Sequence, residues 1–398
     1  MREIRIKNSI KLFEVDKLYD QLNEMPNEVI DLRLPRYIEK YFFSLAPSII
    51  QFVATWIRSD KKGKLIIDLN LDDFENTEKY YEQEFFFPII SLAWNEITIS
   101  NLSGDNLRPF LRPFQNKFIV KMRKAEAMKG EKLLLINLDH FDSQSGILNF
   151  FEENGSFNIN EKELETILKK PILEKVIKYQ RSKIEIERKF NHIIGIIFEL
   201  MKNTFEWGKE DELGVPWNPN IRGLYIRSYK RPQLSILNDN FSDDIITDYF
   251  SHPSLETNNS QQLFFVEISV FDTGSGFIKK FHNKNNVTDD FSILKSCLIK
   301  HQTSSIGNLE NDKGIGLDRI LNLLDDHGFI RIKTDKYCVY RNMIKDRYRL
   351  AENYNPDKMQ IFDWETGSEN ILSSKYQCSG SIVSILYPIS FTNKQEHE

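Results

Sequence analysis

Cysteine is nearly missing from this chain: Cys297, Cys338 and Cys378 are the three among 398 residues, and they stand far apart. No pair has the CxxC spacing of a zinc or redox site. Three scattered thiols make no disulfide framework, so a reducing, cytoplasmic setting is expected. Long hydrophobic runs are lacking too. The strongest, Phe85 to Trp94 and Ile193 to Met201, are shorter than the ~20 apolar residues that span a bilayer. The opening Met1-Arg2-Glu3-Ile4-Arg5-Ile6-Lys7 is charged throughout and carries no signal-peptide pattern. A membrane partner is therefore not expected. Neither sign of charge dominates: 53 Lys and Arg against 58 Asp and Glu leave a net charge of -5, which gives no general case for nucleic acid. Repeats and low-complexity tracts are also absent.

What is present suits a globular protein with a proper core: 40% hydrophobic and 28% charged residues. The length predicts two domains. The first half reads as α/β, with strands at Glu28 to Leu34, Lys64 to Leu69 and Lys132 to Leu138, and helices over Phe42 to Arg58 and Tyr80 to Trp94. Strands alternating with helices predict a sheet with covering helices. Glu161 to Lys189 is charged and helical in character, broken at Pro171, and the boundary is placed so that residues 1–165 form the first domain and 166–398 the second. Beyond it come an apolar helix, a strand at Gly223 to Arg227, and a polar stretch from Asn238 to Gln262 read as an insertion or mobile loop. A strand at Leu263 to Phe271, a helix at Gly316 to Leu324, and strands at Phe329 to Lys333 and Ser381 to Leu386 follow.

Three pieces of the second half carry chemistry. In Glu199-Leu200-Met201-Lys202-Asn203, a carboxylate and an amide lie four residues apart and share one helix face. Among Ile193, Ile194, Ile196, Ile197 and Phe198, two such groups are costly to bury unless each has a partner. Asn203 could find one in a magnesium ion and Glu199 in a positioned water; a helix with one hydrogen-bonded polar pair, or with a solvated flank, is the alternative. In Asp272-Thr273-Gly274-Ser275-Gly276, a carboxylate at the end of an apolar strand can accept a bond from an exocyclic amine. Gly274 and Gly276 let backbone approach a ligand. Gly314-Ile315-Gly316-Leu317 is a glycine turn feeding a helix N-terminus, whose free N–H groups suit phosphate; Lys313 stands beside it.

These pieces, in this order, resemble the GHKL nucleotide-binding superfamily of gyrase, heat-shock chaperone, histidine kinase and MutL. The resemblance covers roughly residues 190–390 and implies a Bergerat α/β sandwich that binds ATP and Mg2+. It implies that Glu199 acts on the attacking water, Asn203 holds magnesium and Asp272 reads the adenine amine. Residues 278–312 stand where the family has its ATP lid; Thr303 and Ser304, with Lys300 and His301 beside them, would approach the phosphates. Ser381, in a Gly-Ser that is similar to the family's terminal Gly-Thr strand, would support the aspartate. The chain departs from the family pattern at Asp312 and Ser305, where many relatives carry Gly and Lys.

The resemblance implies a slow Mg-dependent ATPase that switches the conformation of a dimer or a protein partner. A protein kinase of histidine or anti-sigma serine type and a non-hydrolysing nucleotide sensor are the alternatives. For a histidine kinase the upstream acceptors would be His140 and His192, both better read as structural or solvated. The first half also resembles a STAS-type α/β module, which partners GHKL kinases in sigma-factor control.

Overall fold

The computed structural model describes residues 2–24, 28–142, 146–157, 160–279, 289–297, 315–349 and 358–389, with the backbone alone at 297 and 315–319. Thr303, Ser304, Lys313 and Gly314, with the lid residues around them, lie outside the described residues.

The chain begins with a parallel sheet of four strands. β1 (Arg2–Arg5), β2 (Ile30–Leu34), β3 (Lys62–Ile67) and β4 (Ile99–Ser100) lie side by side in that order. Parallel neighbours need crossovers. These come from α1 (Leu12–Asn23), α2 (Leu45–Arg58) and the pair α3 (Phe74–Tyr81) and α4 (Phe86–Ala93), followed by α5 (Arg108–Arg123). The single helix expected over Tyr80 to Trp94 is thus the end of one helix and the whole of another. Pro88 sits in the first turn of α4 and Pro47 in that of α2, where a missing N–H breaks no helical bond.

Seven strands build an antiparallel sheet: β5 (Lys132–Leu138), β6 (Ile221–Pro232), β7 (Gln262–Asp272), β8 (Phe329–Thr334), β9 (Tyr337–Asn342), β10 (Phe362–Asp363) and β11 (Ser381–Pro388). Their spatial order is β10-β9-β8-β11-β7-β6-β5. β5, which the sequence places with the first half, pairs along its whole length with β6 of the second sheet. Between them run α6 (Glu161–Lys170), a π-helical turn at Pro171–Val176, α7 (Gln180–Arg188) and α8 (Phe190–Trp207). Pro171 ends α6 as expected.

The stretch from Asn238 to Gln262, expected to be an insertion or mobile loop, is packed. α9 (Gln233–Asp239) and α10 (Asp244–Phe250) bury Ile236, Ile246, Tyr249 and Phe250 against Phe42, Phe43 and Phe265. Phe42 lies 5.5 Å from Phe250 and 6.1 Å from Phe265 between ring centres. The polar residues that suggested a loop serve as caps; Asp243 accepts from the Ile246 N–H at 3.1 Å.

β7 reads as an almost unbroken apolar run because both its faces are covered. After α10 the chain forms α11 (Asp290–Cys297) and α12 (Ile315–Leu324). Val266, Ile268 and Val270 face the helical layer of α6, α8 and α12, whereas Phe265, Glu267 and Ser269 face the first lobe, formed by the parallel sheet and its helices. α6 and α12 pack along α8. α2 lies between the sheets, contacting β3 on one side and β7 and β11 on the other. It is buried from Leu45 to Ala54 and again at Trp56 and Ile57, which is why its sequence is apolar nearly all round. Among the described residues no helix is long and apolar enough to cross a membrane.

Candidate functional site

The site forms where the C-terminal end of α8 meets the ends of β7 and β11. α8 is helical because Ile193, Ile194, Ile197, Leu200, Met201 and Thr204 recur on its buried face. It ends at Gly208, whose N–H still reaches the Thr204 carbonyl at 2.8 Å. Two glycines let the neighbouring loop close on that end. A Cβ on Gly274 would run into the backbone of Gly208, and one on Gly208 would press on Asp272. Only residues without a side chain allow this approach.

The resulting pocket encloses about 360 Å3, including its open mouth. Leu200, Trp207, Val270, Phe277 and Val383 form apolar walls. Asn203, Thr204, Asp272 and Ser381 supply the polar groups. Asp272 is 6% exposed, and its Oδ1 accepts the Gly274 N–H at 2.8 Å, an arrangement that holds the carboxylate at the pocket floor. Ser381 Oγ shares a 2.8 Å hydrogen bond with Thr334 Oγ1, which also accepts the Phe277 N–H at 2.9 Å. The Asp335 carboxylate accepts the Ile278 N–H at 3.1 Å, and burial pushes its pKa up. Thr334 and Asp335 thus tie the end of β8 to the loop that crosses the pocket. Gly380 has φ +73°, and a Cβ there would strike the Asp272 carbonyl.

Behind the loop, Asn220 joins three elements. Its Nδ2 donates to the Gly208 carbonyl at 2.8 Å and to Asp139 at 2.6 Å, while its Oδ1 accepts from Thr273 Oγ1 at 2.8 Å. Arg58, at the end of α2, donates to the carbonyls of Thr273 and Pro219 and lies 4.5 Å from the centre of the Trp217 ring. Burial lowers the Arg58 pKa to about 10, and the negative charge of Asp272 opposes that fall. Trp217 Nε1 donates in turn to Ser275 Oγ at 3.1 Å.

The structure brings Asn203, Asp272, Gly276 and Ser381 to one pocket. Gly274 packs beneath it against Gly208. Glu199 lies one turn before Asn203 on α8, half-buried and beyond the residues that line the pocket. Asn203 is half-buried as well, so this face of α8 is less enclosed than its apolar sequence suggests. Gly316 and Leu317 lie in the first turn of α12, which packs along α8. His140 is held between the Asn220 and Ser91 carbonyls at 2.8 and 3.0 Å, and His192 is exposed on α8.

Sequence reasoning passed over Arg58, Trp217, Asn220, Thr334 and Asp335. Arg58 stands 215 residues from its acceptor Thr273, and nothing local marks it. Thr334-Asp335 had a weak signal, a polar pair closing an apolar strand, which is also how an ordinary turn begins. Comparison with protein-family models, with curated proteins and with solved structures found no match.

Proposed function

We propose that the protein binds ATP in the GHKL manner and is a magnesium-dependent ATPase whose turnover switches its conformation. The observation that carries this reading is the convergence of Asn203, Asp272, Gly276 and Ser381, from three separate segments of the chain, on one pocket. Apolar walls with a single buried carboxylate suit a flat base that offers an exocyclic amine. The antiparallel sheet with α8 and α12 on one face supports the Bergerat reading of the second half. The strand–helix alternation of the first half supports a STAS-like lobe beside it.

The base would lie against the apolar walls with its amine towards Asp272. Asn203 would hold Mg2+ through its side-chain oxygen; a hard ion of this kind completes its shell with phosphate oxygens and water. A lone amide at the pocket wall fits that demand. Glu199, one turn away, orients the water that attacks the γ-phosphorus and takes its proton as ADP leaves. Catalysis of this kind is positioning and charge stabilisation rather than covalent chemistry.

Incubation with γ-labelled ATP and magnesium, following free phosphate and protein-bound label separately, tests the reading. Free phosphate is expected, reduced about 100-fold or more in Glu199→Ala, the usual loss for a general base, with ATP affinity kept. Label on the protein would instead make it a kinase, and normal turnover in the variant would remove Glu199 from its role.

A further inference from the structure

We infer that α2 couples the nucleotide pocket to the first lobe and that Arg58 positions the loop that reads adenine, an inference that rests on the nucleotide reading of the pocket. Gln51, Thr55 and Arg58 are spaced i, i+4 and i+7 and so form one stripe along α2. Each side chain of the stripe bonds the backbone of a pocket loop. Gln51 Nε2 donates to the Gly380 carbonyl at 3.3 Å, and Thr55 Oγ1 accepts the Ser379 N–H at 2.9 Å. Arg58 donates to the carbonyl of Thr273, the residue that follows Asp272. Gly380 precedes Ser381 in the same way, so the stripe grips the pocket at both strand ends.

Packing alone does not need these groups. A helix between two sheets is held by apolar contact, and a buried polar group costs stability unless it is bonded. Apolar residues of similar size would hold the sheets together at least as well. Here the polar stripe is also left partly unsatisfied: among the described residues, Gln51 Oε1 and Arg58 Nε are buried without a hydrogen-bond partner. Such groups call for an explanation. A stripe that must follow two positions of the loops supplies one, since no single arrangement then satisfies every atom. The opposite side of α2 rests on β3, so a shift of these loops reaches the parallel sheet through one buried helix. Linkage makes the effect reciprocal: whatever moves α2 changes nucleotide affinity by the same factor.

Amide hydrogen exchange on the full chain, with and without ATP and magnesium, tests the inference. Exchange across residues 45–58 is expected to slow on ATP addition, and the Arg58→Met variant to bind ATP about tenfold more weakly, the loss usual for a charged hydrogen bond. The variant is also expected to lose preference for adenine over guanine nucleotides, with Arg58→Lys recovering part of both. A merely structural role would lower the unfolding midpoint and leave base preference intact. Saturable ATP binding with unchanged exchange in α2 overturns the coupling alone, as does wild-type affinity and base preference in Arg58→Met. If Arg58→Met does not fold, exchange in the wild-type chain decides. A wild-type chain that binds no ATP removes the nucleotide reading and the coupling together.

Discussion

Glu267 shows what a single residue demands of this fold. It is a carboxylate at 1% exposure in the middle of β7, accepting the Ser44 N–H at 2.8 Å, Ser269 Oγ–H at 2.9 Å and Tyr229 O–H at 2.7 Å. Burial pushes its pKa up despite those donors. A raised acid favours folding fully below its unfolded value, about 4.3 for glutamate, and loses that contribution as pH rises through the folded value. Glu267→Gln removes the titration. Relative to wild type, the variant is therefore expected to gain stability as pH rises above the unfolded value, read as a urea midpoint that falls less with rising pH. A difference that stays constant across this range would refute the assignment. At this scale the sequence was legible where a motif is local. Asp272, Gly274 and Gly276 stand within five residues, and Asn203 sits in a helix whose period is plain. Arg58 and Asn220 were not legible, because their partners are set by tertiary contact alone.

The junction of β7, β11 and α8 is the element on which the site depends. Gly380 holds it together by having no side chain at φ +73°. Gly380→Ala adds both left-handed strain and a collision with the Asp272 carbonyl. A destabilisation of about 1–3 kcal/mol is expected from strain of this kind, measured by urea unfolding, together with weakened nucleotide binding. An alanine variant of wild-type stability and affinity would show that the junction relaxes freely. β5, β6, β7, β8 and β11 were readable because each holds a compact apolar run with a clear end, whereas β9, which is half polar, and the two-residue β10 were not. The helices around it were harder. Tyr80 to Trp94 looked continuous because Glu82, Gln83 and Glu84, which stand in the break between α3 and α4, are themselves good helix formers. Asn238 to Gln262 looked loose because α9 and α10 are one or two turns long, too short for a period to show.

Across the whole molecule the two halves share structure more closely than their sequences suggest. β5 completes the edge of the antiparallel sheet, and α2 covers the face of β7 that carries Glu267 and Ser269. Arg331 of β8 bonds Ser44 at 2.9 Å, and Lys333 reaches Asp16 of α1 at 2.7 Å. A fragment of residues 166–398 would leave the β6 edge unpaired and the α2 face bare. It is expected to aggregate or to lack a cooperative urea transition; a monodisperse, cooperatively unfolding fragment would contradict this. A sheet with covering helices in the first half could be anticipated from strand–helix alternation, whereas the transfer of β5 to the second sheet could not. An apolar strand carries no sign of which sheet it will join.

The most direct test is a titration of ATP with magnesium into the full chain and into Asp272→Ala, each checked for an unchanged unfolding midpoint. Saturable binding to the wild-type chain that is lost in the variant is the result expected of an adenine-reading carboxylate. Equal binding by both, or none by the wild-type chain, would contradict the assignment of this pocket to ATP.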